Sequence, residues 1–218
     1  MPRDDRPLEI TPGLLLQAYS SGVFPMADTA EKTIHWIDPL MRGVLPLDAL
    51  HVSRSLRKTV LRGGYNVTVD TAFEEVMRAC ADRDETWINE ELIAAYTGLH
   101  HQGFAHSVEL RDLDGRLIGG LYGVSIGSAF FGESMFSRRP SASRIALVWL
   151  VARLRAGGFT LLDTQFTTDH LESMGAVEIP CAQYHARLAQ ALRRRAHWSA
   201  LPALASASDV LQMTTQTS

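Results

Sequence analysis

The sequence predicts an α+β fold with a mixed sheet, and three observations carry the prediction. The first part of the chain alternates helical patterns with a single β-rich segment. The middle, from Ala105 to Phe136, is a run of apolar and alternating stretches broken by turn residues. An almost wholly apolar helix then separates that run from a lone strand and further helices. Such an order joins antiparallel neighbours to at least one crossover. At 218 residues, 46% hydrophobic and 21% charged, the chain is long enough to bury a core without staples. Its two cysteines, Cys80 and Cys181, form no Cys-x-x-Cys pair, so neither a disulfide framework nor a zinc site is expected. The N-terminus is charged and Pro-punctuated without an apolar signal core, and the longest apolar run is interrupted by Arg153. A cytoplasmic protein is expected. A net charge of −3 excludes a chain basic throughout but not a local basic patch.

In chain order, residues 14–19 read as a short helix stopped around Gly22 and Pro25, and "HWIDPLMRGVLPLDAL" as a Pro-broken extended stretch. Residues 1–39 thus form a small N-terminal module. Ser53 caps a helix that stops at Gly63-Gly64. "YNVTVD" alternates as a strand. Thr71 with Glu74 makes a capping box for a helix whose buried stripe is Phe73, Val76, Met77 and Cys80. "NEELIAAYTGLHHQG" is a second helix, buried along Leu92, Ile93, Tyr96 and Leu99, with His100 and His101 in a solvated last turn. "AHSVELRD" turns at Asp114-Gly115 into two strands that meet near Gly127. "SASRIALVWLVARLRAGG" is a buried helix. "TLLDTQF" is the next strand, and "TDHLESMGA" and "QYHARLAQALRRR" are helices. The main domain spans 40–198, and the tail 199–218 is expected to be loosely held. This is the element order of GNAT-class acyltransferases, in which a helix packs between two central strands.

Several chemistries fail on spacing. "GESMF" lacks the final small residue of a nucleophile elbow, no Walker motif is present, and the glycines of "GGLYGVSIG" fit no dinucleotide fingerprint. GNAT enzymes hold the pyrophosphate of acetyl-CoA on a Gly-rich turn before the central helix, but here that stretch is "SRRPSASR". Coenzyme A is therefore not the expected donor. Positive signals are fewer. Arg54, Lys58 and Arg62 recur at i,i+4 on one helix with Arg57 alongside, and His51 extends the patch. That face is either solvated surface or a phosphate contact, local enough to suit RNA shape. Trp87 precedes a helix N-terminus, where it either closes the core or stacks a base. Asp163 and Gln165, two apart on an apolar strand, share one face, and Glu133 sits in an equally apolar strand. The acids either pair with Arg138, Arg139 or Arg144, or serve proton transfer or a cationic ligand.

"AYSSGVFPM", "HVSRSLRKT", "TWINEELIAAYTGLHHQGFAHSVEL", "GGLYGVSIGSAFFGESMFSR", "SASRIAL" and "DTQFTTDHLESMGAVEIP" occur in one order over residues 14–184. Together they resemble the leucyl/phenylalanyl-tRNA–protein transferases. The resemblance implies a small N-terminal module followed by a GNAT-like catalytic domain. It also implies transfer of leucine or phenylalanine, and methionine weakly, from tRNA to the N-terminal arginine or lysine of a protein, marking that protein for N-end-rule degradation. It places Arg54, Arg57, Lys58 and Arg62 on the tRNA acceptor stem and Trp87 on the terminal adenosine. Met26 stands where many relatives have a stacking tryptophan. Leu121, Phe130, Leu147, Leu150 and Leu162 would line the pocket for the transferred side chain. Glu133, Asp163 and Gln165 match the catalytic centre, with Gln165 on the attacking amine and Asp163 orienting it. No cofactor, metal or membrane partner is expected, and the chain is expected to be a monomer. Two other readings stay open at this point: a GNAT-like acyltransferase with another acyl donor, and a non-catalytic RNA-binding module.

Overall fold

The structure, a computed structural model, describes residues 10–28, 33–84, 86–202 and 205–215. Residues 1–9 of the expected N-terminal module and 216–218 of the tail lie outside it. Seven strands form one sheet in the order β4-β5-β6-β7-β8-β3-β9. They are β3 (Met41–Val44), β4 (Asn66–Val69), β5 (Ala105–Arg111), β6 (Leu117–Ile126), β7 (Ala129–Ser137), β8 (Leu161–Gln165) and β9 (Val177–Pro180). Every neighbouring pair is antiparallel except β7 with β8. The α+β expectation with a mixed sheet is met. A separate two-stranded ribbon, β1 (Phe24–Asp28) and β2 (Thr33–Ile37), precedes the sheet.

Helices cover both faces, which is why the strands read as continuous apolar runs. α1 (Pro12–Ser20), α3 (Phe73–Ala81), α4 (Glu90–His101) and α7 (Cys181–Leu192) pack with Tyr122, Phe131 and Leu161. α2 (Arg54–Arg62), α5 (Ala142–Ala156), α6 (Asp169–Glu172) and α8 (Ala207–Thr215) pack with Leu121, Phe130 and Leu162. Successive strand residues thus feed opposite cores. Helix starts follow local chemistry: the side chains of Thr11, Ser53 and Asn89 accept from the backbone N–H three residues on. Gly63 and Gly64 both have positive φ at the end of α2, as their position predicts.

Parallel pairing of β7 with β8 requires a crossover, and α5 supplies it. The register ends at Phe131↔Asp163. β7 runs six residues further, so its second half leaves its neighbour and an opening forms between the two strands.

Four expectations are corrected. The stretch after Pro39 is not merely extended: Met41–Val44 is an interior strand between β8 and β9. Gly43 permits this, since a Cβ there would lie 2.7 Å from the Phe166 backbone. The Thr71–Glu74 capping box does not form. Thr71 instead donates to the buried carboxylate of Glu109, which also takes the Ala72 N–H, while Glu74 pairs with Arg78. His100 is not a solvated residue but stacks on Phe73 with centroids 4.5 Å apart. The tail is not loosely held where it is described. Within it α8 buries Val210 and Leu211 against α5, and just before it Trp198 donates to Asp70 and stacks on Phe130 and His106. Each such side chain contributes about 1.5–3 kcal/mol, enough to dock a short helix.

Candidate active site

The opening between β7 and β8 is where the carboxylates converge. Asp163 is fully buried on β8, and its partner is Arg42 of β3. Arg42 donates from Nε at 3.0 Å to Oδ1 and from its terminal nitrogen at 2.7 Å to Oδ2, a bidentate fork. Tyr184 of α7 donates to Oδ2 at 2.7 Å, and the Gln165 N–H to Oδ1 at 2.8 Å. The guanidinium lies between the rings of Phe24 and Tyr184, 4.4 Å from each centroid, and also donates to the Gly22 carbonyl. Burial alone pulls the Arg42 pKa down, but the bonded carboxylate outweighs that and keeps it charged. Burial, and next the Asp163 charge, push the Tyr184 phenol up, so it stays a donor.

The Asp163 carboxylate also shapes the backbone. Gln165 has φ +63°, a left-handed conformation uncommon outside glycine. The bond from its N–H to Asp163 holds it there. The turn swings the Gln165 side chain toward β7, where Nε2 donates to Glu133 Oε1 at 2.8 Å. Among the described residues, no hydrogen bond reaches the Gln165 side-chain carbonyl oxygen.

Glu133 has no cation bonded to it among the described residues. Its other oxygen accepts from Tyr96 of α4 at 3.1 Å, and the Tyr96 hydroxyl in turn bonds that of Tyr19 of α1. With its proton committed to Glu133, Tyr96 must accept from Tyr19. Burial raises the Glu133 pKa from 4.5 to about 7, with the hydrogen bonds opposing and the Asp163 charge adding.

Beside this cluster lies a cavity of about 80 Å³, several times the space one water needs. Leu121, Leu147, Leu150 and Leu162 line it, with Met135 and Leu171, and Glu133, Ser134 and Thr164 mark its polar side. Four of the five expected pocket residues are therefore together. Phe130 is not on the wall: it is fully buried and packs on Phe159 and Trp198. Trp87 and Met26 are half-buried against the α1–α4 core, and Arg83 of the loop that carries Trp87 donates to Ser134 on the cavity rim. Arg54, Arg57, Lys58 and Arg62 are exposed on α2, with no ion pair among the described residues, while Leu56 and Val60 anchor the helix.

Of the two readings of the acids, the one that pairs them with Arg138, Arg139 or Arg144 does not hold among the described residues. Arg138 lies over the Phe136 ring, Arg139 pairs with Asp112, and Arg144 bonds His170. Arg42, Tyr19, Tyr96 and Tyr184 escape sequence reasoning. An arginine followed by glycine in the apolar stretch "LMRGVLP" is the available signal for the first of them.

Comparison with known proteins identifies the family. The family model for leucyl/phenylalanyl-tRNA protein transferase matches residues 44–189, and that for the N-terminal domain of the same family matches 9–40. A leucyl/phenylalanyl-tRNA–protein transferase of Cereibacter sphaeroides is 53% identical over 97% of this chain and 99% of its own length. One of Paramagnetospirillum magneticum is 58% identical over 88% of this chain and 92% of its own. Among solved structures, FemX matches with TM-score 0.52 at 13% identity, over 66% of this chain and 60% of FemX, a likeness of fold alone. No helix among the described residues is long and apolar enough to cross a membrane. With both family models matched and more than half of its residues shared with whole-length relatives, the chain belongs to the leucyl/phenylalanyl-tRNA–protein transferase family of enzymes.

Proposed function

We propose that the protein moves leucine or phenylalanine, and methionine weakly, from tRNA to the N-terminal arginine or lysine of acceptor proteins in the cytoplasm, marking them for degradation. The observation that carries the reading is Gln165, its backbone N–H bonded to the ion-paired Asp163 and its side-chain amide to Glu133, which has no bonded cation among the described residues, beside an apolar cavity. We assign residues 40–198 to a GNAT-like catalytic domain, supported by the parallel β7–α5–β8 unit and the opening between its strands, with 1–39 as a small N-terminal module.

The reaction joins the acceptor α-nitrogen to the ester carbonyl carbon and breaks the bond to the tRNA ribose oxygen, which leaves with a proton. No ATP is needed, so alignment dominates and can contribute about 7–11 kcal/mol. The transferred side chain occupies the cavity lined by Leu121, Leu147, Leu150 and Leu162. Phe130 backs that wall from behind. An apolar pocket separates side chains differing by one methylene by only about 1–3 kcal/mol. That suits acceptance of two residues and partial acceptance of a third.

The acceptor arrives as an ammonium, with an ordinary pKa of about 8. Gln165 accepts a hydrogen bond from it through the side-chain carbonyl oxygen. Glu133, poised near neutrality, takes its proton, which later reaches the departing ribose oxygen; the adjacent 2′-hydroxyl offers a relay. Asp163 has its hydrogen bonds committed, so its part is to hold Gln165 in its turned conformation. Trp87 and Met26 pack on the terminal adenosine, and the α2 cations meet acceptor-stem phosphates.

The test is transfer of labelled phenylalanine from charged tRNA to a peptide beginning with arginine. Label should pass to the free-amine peptide and not to its N-acetylated form. Binding of the tRNA without transfer to any peptide would overturn the reading.

A further inference from the structure

Away from the active site, three ligand-type side chains meet where the N-terminal ribbon touches α7. They are Asp38, just after β2, and Cys181 and His185, one turn apart at the start of α7. The Cys181 thiol lies 3.3 Å from Asp38 Oδ1 and His185 Nε2 lies 3.2 Å from Asp38 Oδ2. One ligand atom from each falls within 4.8 Å of the others. Tetrahedral zinc, with bonds of about 2.0–2.3 Å, sets neighbouring ligand atoms roughly 3.3–3.6 Å apart, so the trio must draw in from separations of up to 4.8 Å.

The surroundings hold the three in place. The Cys181 N–H donates to the Leu40 carbonyl at 2.9 Å, pinning the segment that carries Asp38 to the first turn of α7. Gly22 brings its backbone so close to His185 that a Cβ there would lie 2.4 Å from Cε1. The imidazole is thereby restrained with Nε2 toward Asp38. All three groups are at least partly exposed, so an ion has a way in.

We propose that Asp38, Cys181 and His185 bind a single Zn(II) ion, with water in the fourth position. One thiolate, one imidazole and one carboxylate suit a borderline ion and not magnesium or calcium. Binding replaces the thiol proton, which goes to solvent. The ion clamps the N-terminal ribbon to α7, behind the Gly22 carbonyl and Tyr184 that both hold the Arg42–Asp163 pair. Its role is structural, and the proposal does not depend on the transfer reaction.

The test uses the full chain, reduced and stripped with chelator, then titrated with Co(II) near neutral pH. The expected result is a thiolate-to-cobalt charge-transfer band with tetrahedral d–d bands, saturating at one ion per chain and erased by Zn(II). Zn(II) should also slow alkylation of Cys181 by roughly tenfold. Cys80→Ser should keep the bands, Cys181→Ser should lose the charge-transfer band, and His185→Ala should weaken binding by at least about tenfold. Absence of the charge-transfer band in excess Co(II), or its survival in Cys181→Ser, would overturn the site.

Discussion

Asp163 and Glu133 stand on adjacent strands, both buried, and yet they live under opposite electrostatic conditions. Asp163 faces a bidentate arginine clamped between two rings. Among the described residues Glu133 is bonded only by neutral donors, an amide and a phenol. One carboxylate is therefore held in an ion pair that sets geometry, whereas the pKa of the other is pushed up to about 7 by burial. Two acids that look alike in sequence are sorted into roles by whether a cation lies beside them.

The largest effect should come from breaking the fixed pair. Asp163→Ala leaves the Arg42 guanidinium buried without its counter-charge, which costs about 3–5 kcal/mol of stability, and it frees Gln165 from its turn. Transfer should fall by at least roughly a hundredfold. The double variant Arg42→Met with Asp163→Leu sharpens the contrast. In urea melts it should recover most of that stability, since an apolar pair of similar size replaces the ions, but its transfer should stay low. Recovery of both together would reduce Asp163 to a purely structural residue.

Gln165→Ala removes the amide and leaves both carboxylates in place. It should lower transfer roughly a hundredfold, with stability changed by about 1 kcal/mol and tRNA affinity unchanged. Equal reductions in tRNA binding and transfer would remove Gln165 from the acceptor side.

Glu133 predicts a pH dependence whose sign differs from the usual acid. Its folded pKa, about 7, lies above the ordinary value of 4.5. Between those values the folded protein keeps a proton that the unfolded chain has released. Rising pH therefore lowers stability across that window, by about 3 kcal/mol in full, and the decline is complete above pH 7. Glu133→Gln lacks this titration, so its stability relative to the parent should rise between about pH 5 and pH 7.5. The parent's transfer rate should fall as pH drops through about 7 in a step that the variant lacks, the variant's slower rate following only the free fraction of the acceptor amine, with its ordinary pKa of about 8.

A smaller effect is expected at the α2 cations. Arg57→Ala with Lys58→Ala should leave stability within about 0.5 kcal/mol and flatten the salt dependence of tRNA binding, by a slope of roughly 0.7–0.9 for each phosphate no longer neutralised. An unchanged slope would return this face to plain solvated surface.

Much of this arrangement is legible in the chain. Glu133, Asp163 and Gln165 stand out because polar groups in strands apolar on both faces need a reason. The strand run, the buried α5 and the glycine stop of α2 follow from period and turn chemistry. What stays hidden lies in short or distant pieces. β3 and β9 have four residues each, too few to show alternation, and a nearby proline argues against a strand in the first case. Arg42 meets Asp163 across 121 residues, and no local pattern encodes that pairing. The Thr71 hydroxyl is drawn away from its helix by a buried glutamate 38 residues on. The tail looks loose because its anchors, Trp198 on Phe130 and α8 on α5, are tertiary contacts that composition cannot express.

The central claim is that Glu133 carries an exchangeable proton near neutrality while Asp163, paired with Arg42, holds the geometry. It is tested most directly by a pH titration of protein labelled with 13C at the glutamate side-chain carboxyl carbons, with Glu133→Gln identifying the resonance. The account predicts a midpoint near 7 for Glu133. A midpoint at or below about 5, in the ordinary carboxylate range, would contradict it.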